Sequence, residues 1–378
     1  MNSTDMKNLQ RKDVTVELLR VIAILMVIGT HIKLPMNVGD SIGKARVLIS
    51  CLVGDGVAIF WMILGFFYFR SSYKKHVCRL VSRIVLPLFI CSAIGFFFYD
   101  FLIGANNSIV DSMSHTAEEY KLLLRSLLKW ENGVNGASHF WYLYVYVMVI
   151  LIFPALKGIR EYILNAKYGD IKALIVFFSA LVINDIVNNE LFEFSHHTFR
   201  GALAASIFVL TGDILYRNLN RYNGKKKLSL VAFIILCCAV CGRAYIQYAF
   251  LKREPPSQEP LFWFTSYAFA SVVSLIVFIY GLSSLWNKSR ILSKVLSYLG
   301  SRTFYIYLVH MVFVNSTFIN PLKLKVLDFF GVGSIGTLGY QIVVTLMMFS
   351  LSLITVEFII QIARIIKKLF CRKLHRKI

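Results

Sequence analysis

The stretch "ELLRVIAILMVIGTH", residues 17–31, decides how the chain folds. It is an apolar run with an arginine, Arg20, near one end and a histidine, His31, at the other. Together with its neighbours it forms an apolar segment over about 16–36, long enough to cross a hydrocarbon core of roughly 30 Å. Ionisable side chains are costly inside a membrane and usually face a bundle interior or a water-filled cavity. The stretch therefore predicts a membrane helix with an internal function.

The rest of the chain repeats this apolar pattern. Of its 378 residues, 57% are apolar and 16% charged, against about 45–50% and about 25% in soluble domains. We predict an all-α, polytopic membrane protein of about ten transmembrane helices, forming a single domain over residues 1–378. The candidate spans are about 16–36, 47–69, 84–104, 139–157, 171–188, 200–217, 228–250, 261–286, 303–320 and 338–364.

The charge distribution predicts how the spans are oriented. The formal net charge of +21 is compatible with nucleic-acid binding, but the lysines and arginines gather in alternate loops, as the positive-inside rule requires. We therefore predict a cytoplasmic N-terminal segment, residues 1–15, and a basic cytoplasmic tail, residues 365–378. No nucleic-acid partner is expected. The polar N-terminus lacks a cleavage signal, so the first span is predicted to direct membrane insertion.

Arg20 and His31 lie on one face of the first span. Eleven residues complete three helical turns plus about 20°, and the helical rise separates the two by about 16 Å. Taken singly, Arg20 fits snorkelling towards lipid headgroups, and His31 fits a core histidine bonded to another helix. Taken together, they indicate a pocket across the membrane. Arginine suits a phosphate-bearing ligand, and a neutral histidine suits a general base.

Two further cations are candidates for phosphate binding. Arg79 and Arg83 are four residues apart, so they share a helix face at the predicted cytoplasmic mouth. The positive-inside rule explains the same two residues without any ligand.

Residues of the fourth and ninth spans are candidates for acceptor binding. His139 and Trp141 lie at the predicted outer end of the fourth span, where Trp141 also fits an interfacial membrane anchor. His310 lies within the ninth span beside Tyr305 and Tyr307, where a core histidine bonded to a tyrosine is the alternative.

Other charged residues lie inside predicted spans. Asp213, Arg243 and Glu357 need partners or water there, and the sequence does not pair them. Asp55 is a candidate to orient His31. We interpret the CCxxC pattern in the seventh span as apolar core residues and predict no metal site; it comprises Cys237, Cys238 and Cys241.

Several segments resemble the membrane acyltransferase-3 family. "ELLRVIAILMVIGTH" resembles the first helix of that family, where an arginine, ten residues and a histidine follow one another, with Glu17 at a frequently acidic position. "GDGVAIFWMILGFFYF" (54–69) resembles its second-helix segment, with Leu64 where a serine is usual. The other similar segments, in family order, are "RLVSRIVLP" (79–87), "SHFWYL" (138–143) and "LGSRTFYIYLVH" (299–310).

The resemblance implies a stand-alone O-acyltransferase of the bacterial cytoplasmic membrane. Its donor would be a cytoplasmic acyl-CoA, with acetyl-CoA expected, used as a co-substrate rather than a bound cofactor. Its acceptor would be a sugar hydroxyl of a cell-envelope polysaccharide or glycolipid, and glycan-biosynthesis proteins are possible partners. His31 would be the general base, and Arg20 with Arg79 and Arg83 would hold the donor phosphates. The residues expected near the acceptor are His139, Trp141, Tyr305 and His310.

The residues leave other interpretations open. His31 can instead attack the donor and form an acyl-histidine intermediate. A membrane exporter of a glycan or lipid-linked sugar has similar spans and buried charges, but matched broken helices in two halves, which would support it, are not visible. A membrane scaffold without turnover would tolerate changes at Arg20 and His31. The acyl group, the accepting hydroxyl and the oligomeric state are not predicted.

Overall fold

The computed structural model describes residues 13–32, 41–106, 108–129, 138–187, 198–219, 226–252, 263–331 and 333–375. Of the described residues 89% are helical, and no strand occurs among them. The first half contains α1 (Val14–His31), α2 (Ser41–Val53), α3 (Gly56–Tyr68), α4 (Tyr73–Leu80), α5 (Leu86–Leu102), α6 (Ile109–Met113), α7 (Ala117–Lys129), α8 (Trp141–Leu151) and α9 (Phe153–Asn165). The second half contains α10 (Gly169–Ile186), α11 (Thr198–Leu219), α12 (Lys226–Leu251), α13 (Ser266–Gly281), α14 (Ser284–Asn287), α15 (Arg290–Gly300), α16 (Thr303–Asn315), α17 (Asn320–Phe330) and α18 (Ser334–His375).

The helices confirm a multi-pass membrane protein. In the described ranges, six helical segments are long and apolar enough to span a bilayer, and α8 with α9, bent by 65°, can form a seventh. The six are Val14–His31, Gly43–Tyr68, Tyr73–Leu102, Phe199–Leu219, Lys226–Leu251 and Ser334–Ile365. The three remaining predicted spans coincide with α10, α13 and α16. The cytoplasmic placement of both ends stays a prediction, and residues 1–12 and 376–378 lie outside the described residues.

The first helix begins at a capping aspartate. Asp13 has extended backbone angles, and its Oδ1 accepts from the backbone N–H of Thr15 at 2.9 Å. Such a cap satisfies one of the N–H groups left without partners at a helix start. Glu17 in the first turn adds a favourable interaction with the helix dipole. The cap therefore fixes where α1 starts, and so it also fixes the position of Arg20 along the bundle axis.

Glycines bring α3 and α11 into direct backbone contact. A Cβ on Gly65 would lie 2.0 Å from the carbonyl oxygen of Val209, and one on Gly212 would lie 2.1 Å from that of Met62. Small residues at helix crossings permit such close approach in membranes, where packing replaces the hydrophobic effect as the force that joins helices. This crossing anchors α3 in the core, and Gly56 of α3 meets α1 in a similar way.

One prediction about the core is wrong. Cys237, Cys238 and Cys241 are exposed on the surface of α12, not packed in the core. The physical reason is that lipid is as apolar as a core, so an apolar residue in a membrane helix does not reveal which way it faces.

We expect Gly65→Ala to destabilise the protein, because the new methyl group meets a backbone carbonyl that cannot move alone. Overpacking of this kind costs about 1–3 kcal/mol. Gly158→Ala in α9 is the matched control, because nothing lies within 4 Å of its Cβ position and alanine is the better helix former. Thermal unfolding in detergent measures both variants, and equal melting temperatures would contradict the close crossing of α3 and α11.

Candidate functional site

A cavity of about 430 Å³ begins at the end of the bundle where α1 begins and extends along α1 from Arg20 to Val27. Its cationic lining comprises Arg20, Arg79 and Arg83. Arg79 and Arg83 are exposed at the rim, and Arg83 lies in a π-helical turn, Val81–Val85, that joins α4 to α5. Turns of this type insert an extra residue into a helix and are frequent at functional sites. The predicted grouping of the three arginines is therefore present in the fold.

A buried carboxylate holds Arg20. Nη1 of Arg20 donates to Oε1 of Glu17 at 2.9 Å, and the Glu17 side chain is only 6% exposed. Glu17 is pressed against α15, where a Cβ on Gly300 would lie 2.2 Å from its Oε2. The carboxylate takes one of the five N–H donors of the guanidinium. Glu17 does not use the other N–H donors of Arg20, and the Arg20 side chain lines the cavity.

Three histidines gather at the opposite end of α1. The ring centroid of His310 lies 5.4 Å from that of His31 and 5.3 Å from that of His139. His139 comes from a short 3₁₀ turn before α8, and His310 comes from α16. His310 is fully buried and His139 is 5% exposed. The structure thus joins three residues that the sequence placed in separate spans.

Tyr307 connects these histidines. Its hydroxyl donates to the backbone carbonyl of His139, and its own carbonyl lies 2.7 Å from Nδ1 of His310. A carbonyl oxygen only accepts, so Nδ1 of His310 must carry a proton, and Nε2 of the neutral ring is an acceptor. Within the described chain, Nε2 of His310 and both ring nitrogens of His139 are buried without hydrogen-bond partners. The cluster therefore has unused hydrogen-bonding capacity.

The cavity ends where the histidine cluster begins. Tyr307 and Tyr142 line the cavity, and their rings lie 5.7 Å apart. Val27, one turn before His31, also lines it. Among the described residues of the lining no histidine of the cluster is present, so Tyr307 forms the boundary between the two regions.

Two predicted acceptor residues make contacts outside the histidine cluster. The ring of Trp141 stacks on Trp263 at 5.9 Å. Tyr305 is 46% exposed on α16 and contacts Phe304. The helical angle explains the position of Tyr305. Tyr305 is five positions before His310 and is turned about 140° away from it, whereas Tyr307, three positions before, is turned about 60°. The sequence contains this signal, and it favours Tyr307 over Tyr305.

The isolated charges in the spans have partners elsewhere. Nη1 of Arg243 lies 2.6 Å from Oδ1 of Asp55, and Oδ2 of the same carboxylate accepts from the Ser271 hydroxyl. Asp55, the carboxylate that the sequence offered as a partner of His31, is therefore paired with a guanidinium. Asp213 accepts from Arg160 and Arg217, and Glu357 accepts from Arg302.

The fold and the site together define a multi-pass helical membrane protein with a cationic cavity at one end and a histidine cluster at the other. The sequence pattern of the acyltransferase-3 family, described as an acyltransferase domain, matches residues 13–357. The chain belongs to this family and is a membrane acyltransferase. No curated protein and no solved structure matches the chain.

We expect Arg243→Met to destabilise the fold by about 3–5 kcal/mol, because it leaves the Asp55 carboxylate buried without a counter-ion. The double variant Arg243→Met with Asp55→Asn removes both charges and loses less stability than Arg243→Met alone. Lys121→Met breaks an exposed pair with Glu118 and is expected to change little. Thermal unfolding in detergent measures all three, and a double variant less stable than Arg243→Met alone would contradict the pairing.

Proposed function

We propose that the protein transfers an acyl group, with acetyl expected, from cytoplasmic acyl-CoA to a sugar hydroxyl of a cell-envelope polysaccharide or glycolipid. It would do so in the bacterial cytoplasmic membrane, beside the proteins that build the glycan. One observation carries the proposal: the cavity that contains Arg20 ends at Tyr307, which bonds to His139 and His310 next to His31.

The cationic end of the cavity suits the donor. Arginines bind phosphate oxygens through charge-assisted, bidentate hydrogen bonds, and Arg79 and Arg83 are exposed where a cytoplasmic donor would enter. Arg20 lies deeper, and beyond it the lining is mainly apolar and aromatic, with Phe60, Leu64 and other residues of this kind. An uncharged pantetheine arm fits such a lining, and the thioester would then approach Tyr307.

The histidine end suits proton transfer. In the proposed step, the neutral imidazole of His31 removes the proton of the acceptor hydroxyl while the hydroxyl oxygen attacks the thioester carbonyl. The carbon–sulfur bond then breaks, the coenzyme A thiolate leaves, and the imidazolium returns its proton to that sulfur. Nε2 of His310, an acceptor without a partner among the described residues, would bind the same hydroxyl in this step.

We expect His31→Ala to abolish acyl transfer, because no proton acceptor then remains at that position. The measurement is a mass spectrum of the host's surface glycans with the gene intact, deleted and restored as His31→Ala. An acyl-sized mass should appear only with the intact gene, and membrane levels of the variant should match the wild type. A modified glycan in cells that carry His31→Ala would refute the role of His31.

We expect Arg79→Ala to raise the KM for acyl-CoA tenfold or more with little change in kcat. The reason is that a hydrogen bond to a charged group is worth about 1.5–3 kcal/mol, and 1.4 kcal/mol corresponds to a factor of about ten. Lys75→Ala is the matched control, since this cation is exposed on the same helix but is absent from the described cavity lining. Equal KM values for both variants would contradict donor binding by the cavity.

A further inference from the structure

A second cavity, of about 150 Å³, lies between α5, α6 and α7. It is found at the end of α5 that is opposite Arg83, so it is on the same side of the bundle as the histidine cluster. Its lining combines aromatic and polar side chains, including Tyr99, Asp100, Asn106, Asp111, His115 and Glu119. Nothing in the proposed transfer step uses these residues.

The second cavity is attached to the helix that carries His310. The hydroxyl of Tyr99 accepts from the side-chain amide of Asn315, the last residue of α16. The backbone N–H of Thr317 donates to the carbonyl of Ile103, just after α5, at 2.7 Å. Asn315 follows His310 by five residues, a rise of about 7.5 Å along the helix. Through Tyr99 and Asn315 the cavity is therefore joined to a residue little more than one helical turn from His310.

The side chains of the cavity have the chemistry of a sugar site. The ring of His115 stacks on Phe96 with 4.0 Å between centroids, and the side chain of His115 is only 11% exposed. Its Nε2 is buried without a hydrogen-bond partner in the described chain. Sugars offer many hydroxyl groups and one apolar ring face, which match carboxylates, amides and aromatic rings.

A metal ion does not fit this group of residues. In the parts of the chain that the structure describes, no three His, Cys, Asp or Glu side chains are arranged to hold a cation. Glu119 is instead fixed by a capping box, because its carboxylate accepts from the backbone N–H of Thr116 at 2.7 Å and from the Thr116 hydroxyl at 3.0 Å. These hydrogen bonds lower the pKa of Glu119 below its usual range, so it presents a rigid, ionised acceptor.

We propose that this second cavity binds one sugar unit of the acceptor glycan and so presents a neighbouring unit to the histidine cluster. The proposal rests on the proposed function. Hydroxyl groups of the bound sugar donate to Asp100 and Asp111, one hydroxyl oxygen or ring oxygen pairs with His115, and the apolar ring face packs on the aromatic side chains. The cavity thereby selects glycans by the unit next to the one that is modified.

The test uses purified full-length protein and oligosaccharides released from the host's envelope polysaccharide by mild acid. Asp111→Asn removes a carboxylate, and His115→Phe keeps the stacked ring but removes Nε2. Glu118→Gln is the matched control, because Glu118 is on the same turn of α7 as Glu119 and is absent from the described cavity lining. The measured quantities are the KM for the oligosaccharide, the KM for acetyl-CoA, and kcat.

We expect both cavity variants to raise the oligosaccharide KM about five- to tenfold, the effect of one lost hydrogen bond of ordinary strength. The KM for acetyl-CoA should stay unchanged in both, and Glu118→Gln should match the wild type. An unchanged oligosaccharide KM in both cavity variants, with transfer intact, overturns the sugar site alone.

A separate binding measurement distinguishes this proposal from the proposed function. If the wild type transfers no acyl group, the proposed function fails, and isothermal titration calorimetry with the same oligosaccharides decides the sugar site. Binding by the wild type that weakens in Asp111→Asn and His115→Phe supports the site. Absence of binding, or equal binding by all variants, overturns it.

Discussion

The hydrogen bond between Glu17 and Arg20, pressed against Gly300, is the contact on which the cationic end of the site depends. It fixes a guanidinium that would otherwise snorkel along α1 to the headgroups. It also requires α15 to pass so close to α1 that only glycine fits at the crossing. A single helix start, set by the Asp13 cap, therefore positions the arginine of the cavity and, about 16 Å further on, the histidine of the cluster.

Much of this arrangement could be predicted from the sequence because it follows helical periodicity. The shared face of Arg20 and His31, and that of Arg79 and Arg83, needs only the angle per residue. The same angle favours Tyr307 rather than Tyr305 as the neighbour of His310, because three residues turn a helix by about 60° from its starting face and five by about 140°. The locations of the spans were predictable for a similar reason, since the length of an apolar run is a local property of the chain.

Contacts between distant segments could not be predicted, because they depend on which helices become neighbours. Arg243 and Asp55 are 188 residues apart, and either could have paired with another buried charge. The fit of Gly65 on α11 depends on a backbone carbonyl rather than on any side chain. The meeting of three histidines from α1, α16 and the turn before α8 likewise requires three segments to converge.

The separation of the two ends has an energetic reason under the proposed function. Phosphates buried in an apolar region without enough cationic partners pay a large desolvation cost, and Arg20 is the deepest arginine of the described cavity lining. The phosphates would therefore stop at its level, while the uncharged arm crosses the apolar stretch past Leu64 to Tyr307. The acceptor faces the opposite constraint, since its hydroxyl groups need polar partners that the cavity beyond Arg20 scarcely provides. The reaction would thus be confined to the boundary at Tyr307, near the nitrogens of His139 and His310 that have no hydrogen-bond partner among the described residues.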